Sequence, residues 1–113
     1  MSTRRLLGRM VDLSVSDPWE FGTECGPGPF SGRVTDAAAD ALTARLELPP
    51  KLQGRELVAV VVRPRYTGES MDLLVRSRQL VANVLFLTRE SSSLAGVHSV
   101  EHGVAAVGSV KIR

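Results

Sequence analysis

Two histidines set four residues apart, with a glutamate beside the second, are the side chains here best suited by type to hold a metal ion: His98-Ser99-Val100-Glu101-His102. On a helix, residues four apart lie on one face, so both imidazoles could meet one zinc ion with Glu101 as general base. The flanks oppose that reading. Gly96 and Gly103 bracket the segment and weaken any helix through it, and eleven residues follow His102. A further ligand would have to come from upstream, Glu90 being one candidate. A solvated loop is the preferred reading, and no metal or other cofactor is expected.

The same five residues resemble the inverted zinc-peptidase signature, and the resemblance extends no further along the chain. It implies metal-dependent hydrolysis, with His98 and His102 as ligands. Other reactive patterns are weaker. Cys25 lies between Glu24 and Gly26, and a neighbouring carboxylate disfavours the thiolate. The segment Gly26-Pro27-Gly28-Pro29 is glycine-rich, but its prolines remove the backbone donors that a phosphate cradle needs. After Gly68-Glu69-Ser70, Asp72 stands where a nucleophile elbow requires glycine. No catalytic residue is assigned, and the chain is read as non-enzymatic.

Residues suited to contact rather than chemistry are more prominent. Trp19 and Phe21 sit beside the Asp17-Pro18 turn, either as a plug for one end of the fold or as an exposed partner anchor. Charge is unevenly spread. Residues 12–50 carry seven acids and two bases, giving −5, whereas residues 51–89 carry seven bases and three acids, giving +4. The two segments either neutralise one another inside one domain or leave a basic surface built from Arg63, Arg65, Arg76 and Arg78. Tyr66 stands next to that surface and could stack on a planar group.

Short extended elements must position these residues. Apolar and polar residues alternate at Val11-Leu13-Val15, at Phe30-Gly32-Val34 and at Leu42-Ala44-Leu46-Leu48. The run Leu57 to Val62 is continuously apolar, as in a strand covered on both faces, and Leu80 to Leu87 reads similarly. Val104, Ala106, Gly108, Val110 and Ile112 share a final face. Proline, glycine and serine clusters separate these runs. Residues 36–46 read as a loop or one helical turn followed by a strand from Leu42. Residues 70–79 read as a short helix with Ser70 as N-cap.

The whole chain, residues 1–113, therefore reads as a single all-β domain of about six strands, a barrel in preference to a sandwich. With 43% hydrophobic and 23% charged residues, disordered, collagenous and coiled-coil classes are excluded. One cysteine excludes an internal disulfide. No apolar run nears the roughly 18 residues of a membrane span, so a cytoplasmic protein without a membrane partner is expected. Net charge is only +2, and 12 of the 14 basic residues are arginine.

Three functions fit in descending order. The first is a protein-binding or structural module that engages a partner or a second copy of itself, an unpaired strand such as Val104–Ile112 being able to extend the sheet across a homodimer. The second is an oligonucleotide-binding-type barrel using the arginines and Tyr66 on single-stranded nucleic acid. The third is a metal-dependent enzyme using His98 and His102.

Overall fold

Alternation builds the wall of this molecule, and punctuation sets its corners. The computed structural model describes residues 3–15, 28–52, 54–66, 68–87 and 103–113. Its strands are β1 (Met10–Val15), β2 (Phe30–Ala37), β3 (Leu42–Leu46), β4 (Lys51–Leu52), β5 (Arg55–Glu56), β6 (Ala59–Pro64), β7 (Gln79–Leu87) and β8 (Gly103–Ile112). A 3-10 turn covers Thr3–Leu6, and one helix, α1, covers Asp72–Ser77. Six strands close into an antiparallel barrel in the order β1-β2-β3-β6-β7-β8. β4 and β5 form a separate hairpin in which Lys51 faces Glu56, and Gly54 turns it at φ +79°.

Inward residues fill the barrel. Val11, Leu13 and Val15 of β1 meet Val34, Leu42, Ala44, Leu46, Val60, Val62, Leu80, Val84 and Phe86 in one cluster. Six strands enclose less space than eight, and side chains suffice to fill it. Phe30 packs edge-on against Phe86, with ring centroids 5.7 Å apart and planes at 78°. At the opposite end, Leu6, Met71 and Leu74 are buried as a plug. Backbone bonds fasten that plug, from Gly8 N–H to the Val34 carbonyl (2.9 Å) and from Met71 N–H to the Ala39 carbonyl (2.8 Å).

Closure depends on β8. It pairs with β7 from Gln79↔Lys111 to Leu87↔Gly103 and with β1 from Val11↔Ile112 to Val15↔Gly108. The expectation of an unpaired Val104–Ile112 strand is therefore overturned, because both edges of β8 are occupied. Sheet extension across a dimer has no free barrel edge to use.

The continuous run before Pro64 is covered on both faces, as its pattern predicts. Val60 and Val62 point inward, while Ala59 and Val61 are buried outside the wall with Ala41 and Leu87. β7 is less uniform than its sequence suggests, since Val81 and Asn83 are exposed. Alternation also stops earlier than expected in β3, which ends at Leu46; Leu48 is 87% exposed. In β2 the register slips between Val34 and Asp36, so Thr35 is an extra residue whose Oγ1 donates to the Thr43 carbonyl (3.2 Å). After the slip Ala37, not Asp36, lies opposite Leu42 and packs on the core.

Helix α1 is shorter than the expected 70–79 segment, and its N-cap position is Met71 rather than Ser70. Ser70 still contributes, because its Oγ accepts from the Asp72 N–H (3.3 Å). Six residues cannot hold a helix alone. Burial of Met71 and Leu74 fixes this one, and Arg78 stops it in the left-handed region (φ +64°), its N–H bonding to the Leu74 carbonyl. Among the described residues, no helix is long and apolar enough to cross a membrane.

Candidate functional site

The residues singled out by the sequence fall into two groups. Trp19, Phe21, Cys25, Glu90, His98, Glu101 and His102 lie outside the described residues, so neither the aromatic anchor nor the histidine motif has described geometry. Among the described residues, no group of three His, Cys, Asp or Glu side chains is placed to hold a metal ion. Arg63, Arg65, Tyr66, Arg76 and Arg78 are all described and exposed, and all belong to the plugged end of the barrel.

These five hold different places on that end. Arg63 stands on the outer face of β6 opposite Asn83 of β7. Arg65 follows that strand, and its Nη1 donates to Asn83 Oδ1 at 3.3 Å. Arg76 lies in the last turn of α1, a favourable place for a cation beside the helix C-terminus. Arg78 is the helix terminator, and its carbonyl accepts from Ile112 N–H (2.9 Å), so its backbone serves the fold. None of the four arginines lines the groove that holds Tyr66.

That groove, of about 380 Å³, runs between the turn after β6, helix α1 and the outer faces of β7 and β8. Leu73, Leu80 and Val81 supply its apolar lining, with Ser77, Gln79 and Ser109 as polar borders. Tyr66 is 60% exposed and Val81 44%. A tight turn sets Tyr66 beside Glu69, whose N–H bonds to the Tyr66 carbonyl (3.2 Å). Gly68 enables that turn at φ +88°, where a side chain would be strained. Glu69 is the only charged residue in the lining, and its Oε1 is buried with no hydrogen-bond partner among the described residues. Sequence reasoning missed Glu69. The signal was present in Tyr66-Thr67-Gly68-Glu69, since glycine at the third position of a turn brings the first and fourth residues together.

A second groove, of about 520 Å³, lies outside β2 and β3 beside the β4–β5 hairpin. Arg33 and Arg45 face each other across the strands there, and like charges so placed repel. Glu47 and Glu56 share the lining, so the groove is mixed in charge. Arg33 is partly engaged, its Nη1 donating to the Gly8 carbonyl (3.1 Å).

An ion pair joins Arg113 to Asp12 at 2.9 Å, fastening the last described residue to β1 rather than bridging the acidic segment to the basic one. Ser31 Oγ also donates to Asp12 Oδ1 (2.7 Å), and Arg113 Nη2 reaches the same hydroxyl. The Ser31 hydrogen bond, then Arg113 and Lys111, hold the Asp12 carboxyl below its usual range, against partial burial that raises it. A lowered folded-state value stabilises the fold above the ordinary carboxylate range, and that contribution is lost as pH falls through the folded value. Ser31→Ala is therefore expected to move the Asp12 titration upward in carboxyl NMR. Asp12→Asn is expected to cost under about 1 kcal/mol at neutral pH, as befits a surface pair.

Taken together, the fold is a six-stranded, up-and-down antiparallel barrel with a solid interior and grooves on its outer wall. Compared with known protein families, with curated proteins and with solved structures, the chain matches none.

Proposed function

We propose that this chain is a non-enzymatic binding module that engages a protein partner, or a second copy of itself, through the outer wall of its barrel. One observation carries the reading. The interior is packed with side chains and the barrel strands have no free edge, while Tyr66 and Val81 stand exposed around a groove on the outside. Partially exposed aromatic and aliphatic side chains beside polar borders are the usual material of a protein contact.

The test is sedimentation velocity at several concentrations, with and without a native lysate fraction, on the intact chain and on Tyr66→Ala. The reading predicts a larger species that the substitution weakens. A strict monomer retaining no partner, or a complex indifferent to Tyr66, contradicts it.

Nucleic acid is the competing ligand, and the geometry favours it less. Tyr66 shares its groove with a carboxylate and no arginine, and Arg65 is held by Asn83. Mixed-sequence single-stranded oligonucleotides are expected to leave the protein's mobility unchanged at low salt, where phosphate contacts would be strongest. A retarded band that disappears as salt rises would reverse this preference.

A further inference from the structure

Independently of the Tyr66 contact, we propose that the groove outside β2 and β3 binds a small linear zwitterion, an aliphatic chain with a carboxylate at one end and an ammonium at the other. The central observation is how the charges of that groove are sorted. Arg33 and Arg45 stand directly opposite each other across the strands, and both line the groove, as do Glu47 and Glu56. All four residues are exposed, so a dissolved molecule can reach them. Register puts the two signs at different levels. Arg45 is abreast of Ala59 on β6, and one step further the Leu46 N–H bonds to the Val58 carbonyl (2.9 Å). Glu47 follows, its N–H bonding to the Ser31 carbonyl (2.9 Å), and Glu56 precedes Val58 by two residues on the β4–β5 hairpin. The arginines therefore occupy one end of the groove and the glutamates the other.

Each end has its own reason to hold a guest. Two arginines face to face repel, and a carboxylate between them removes that repulsion while accepting their N–H groups. Arg33 is already placed, because its Nη1 donates to the Gly8 carbonyl (3.1 Å), and a guanidinium has further donors to offer. Glu47 and Glu56 repel a second carboxylate and attract an ammonium, so a simple anion meets only part of the site. Half-buried Val58 and Pro49 in the lining give a methylene chain an apolar bed. Residues two apart on an extended strand are about 7 Å apart, which is the step from Arg45 to Glu47. That step suits the two ends of a short aliphatic chain better than the adjoining charges of an α-amino acid. The groove, of about 520 Å³, also has the size of a small-molecule site.

The test titrates the full chain with ε-aminocaproate, caproate and hexylammonium, which share an aliphatic stem and differ in their end groups. NMR signals of the Val58 methyls and of the Arg33 and Arg45 side-chain Nε–H groups report occupancy. ε-Aminocaproate is expected to give saturable shifts at all three residues. Caproate and hexylammonium should each bind about fivefold more weakly or worse, the loss expected for one exposed charge contact. β-Alanine, whose charges lie closer together, should also bind more weakly. Arg45→Gln protein should lose affinity for ε-aminocaproate by a similar factor and bind hexylammonium no less tightly. Caproate binding as tightly as ε-aminocaproate would mean a plain anion site, and the proposal fails. Equal binding of all three would mean an apolar cleft, which refutes it too, and absence of saturable shifts overturns it outright. Should Arg45→Gln not fold, the ligand comparison on the unaltered protein decides alone. None of these outcomes bears on Tyr66, so the protein-contact reading stands or falls separately.

Discussion

Replacing Gly108 by alanine is expected to be among the most damaging single changes this chain can take. Gly108 faces inward on β8 opposite Val15, at the seam where the last barrel strand meets the first. A methyl group there would overlap the Ser14 carbonyl oxygen and crowd the Val15 Cα, which are backbone atoms that cannot rotate aside. Relief requires β1 and β8 to separate, and that opens the barrel. Forced overpacking of this kind costs on the order of 3 kcal/mol, and the melting temperature of a domain this size should fall by more than about 10 °C. Ser109→Ala, one residue away on the exposed outer face, should change stability by no more than about 0.5 kcal/mol. Thermal and urea unfolding of the two variants measure the contrast. Equal stabilities would show that the seam is not as tight as described.

Phe86→Ala is the second large expected loss, and its mechanism is the opposite. Phe86 is fully buried and is the largest of the fully buried side chains among the described residues, meeting Phe30 edge-on. Truncation leaves a void that a closed wall cannot collapse around, at a cost of about 3–5 kcal/mol. Phe86→Leu keeps most of the volume and should cost less than half as much. Leu48→Ala provides the control. That leucine is 87% exposed, so its loss should register within about 0.5 kcal/mol. A Phe86→Ala protein as stable as the Leu48→Ala protein would mean that the barrel interior is not a packed core.

The wall of the barrel was readable from residue pattern because each strand carries its instruction locally. Val11, Leu13 and Val15 alternate regardless of what they pair with, and Pro49-Pro50 ends a strand by its own chemistry. Closure was not readable in the same way. Whether Val104 to Ile112 has one neighbour or two depends on a contact between residues about a hundred positions apart, and no local pattern encodes that. Position 108 held the clue, as an isolated glycine inside an apolar face often marks a close backbone approach. Leu48 misled because alternation continued for one step after the backbone had already turned away. The binding surface was half readable. Tyr66 and its neighbouring arginines stand out by type, but the groove depends on α1 lying beside β7, which places Leu73 and Val81 in one lining. Glu69 was overlooked because one of three acids in a basic segment looks like charge balance until its buried oxygen is seen.

The closed wall can be tested most directly by cross-strand NMR contacts between the first and last barrel strands. Backbone proton contacts between Leu13 and Val110 and between Val11 and Ile112, with slow amide exchange along both strands, are the predicted result. Missing contacts between these strands, with fast-exchanging amides along β8, would describe an open sheet with a free edge and contradict the account.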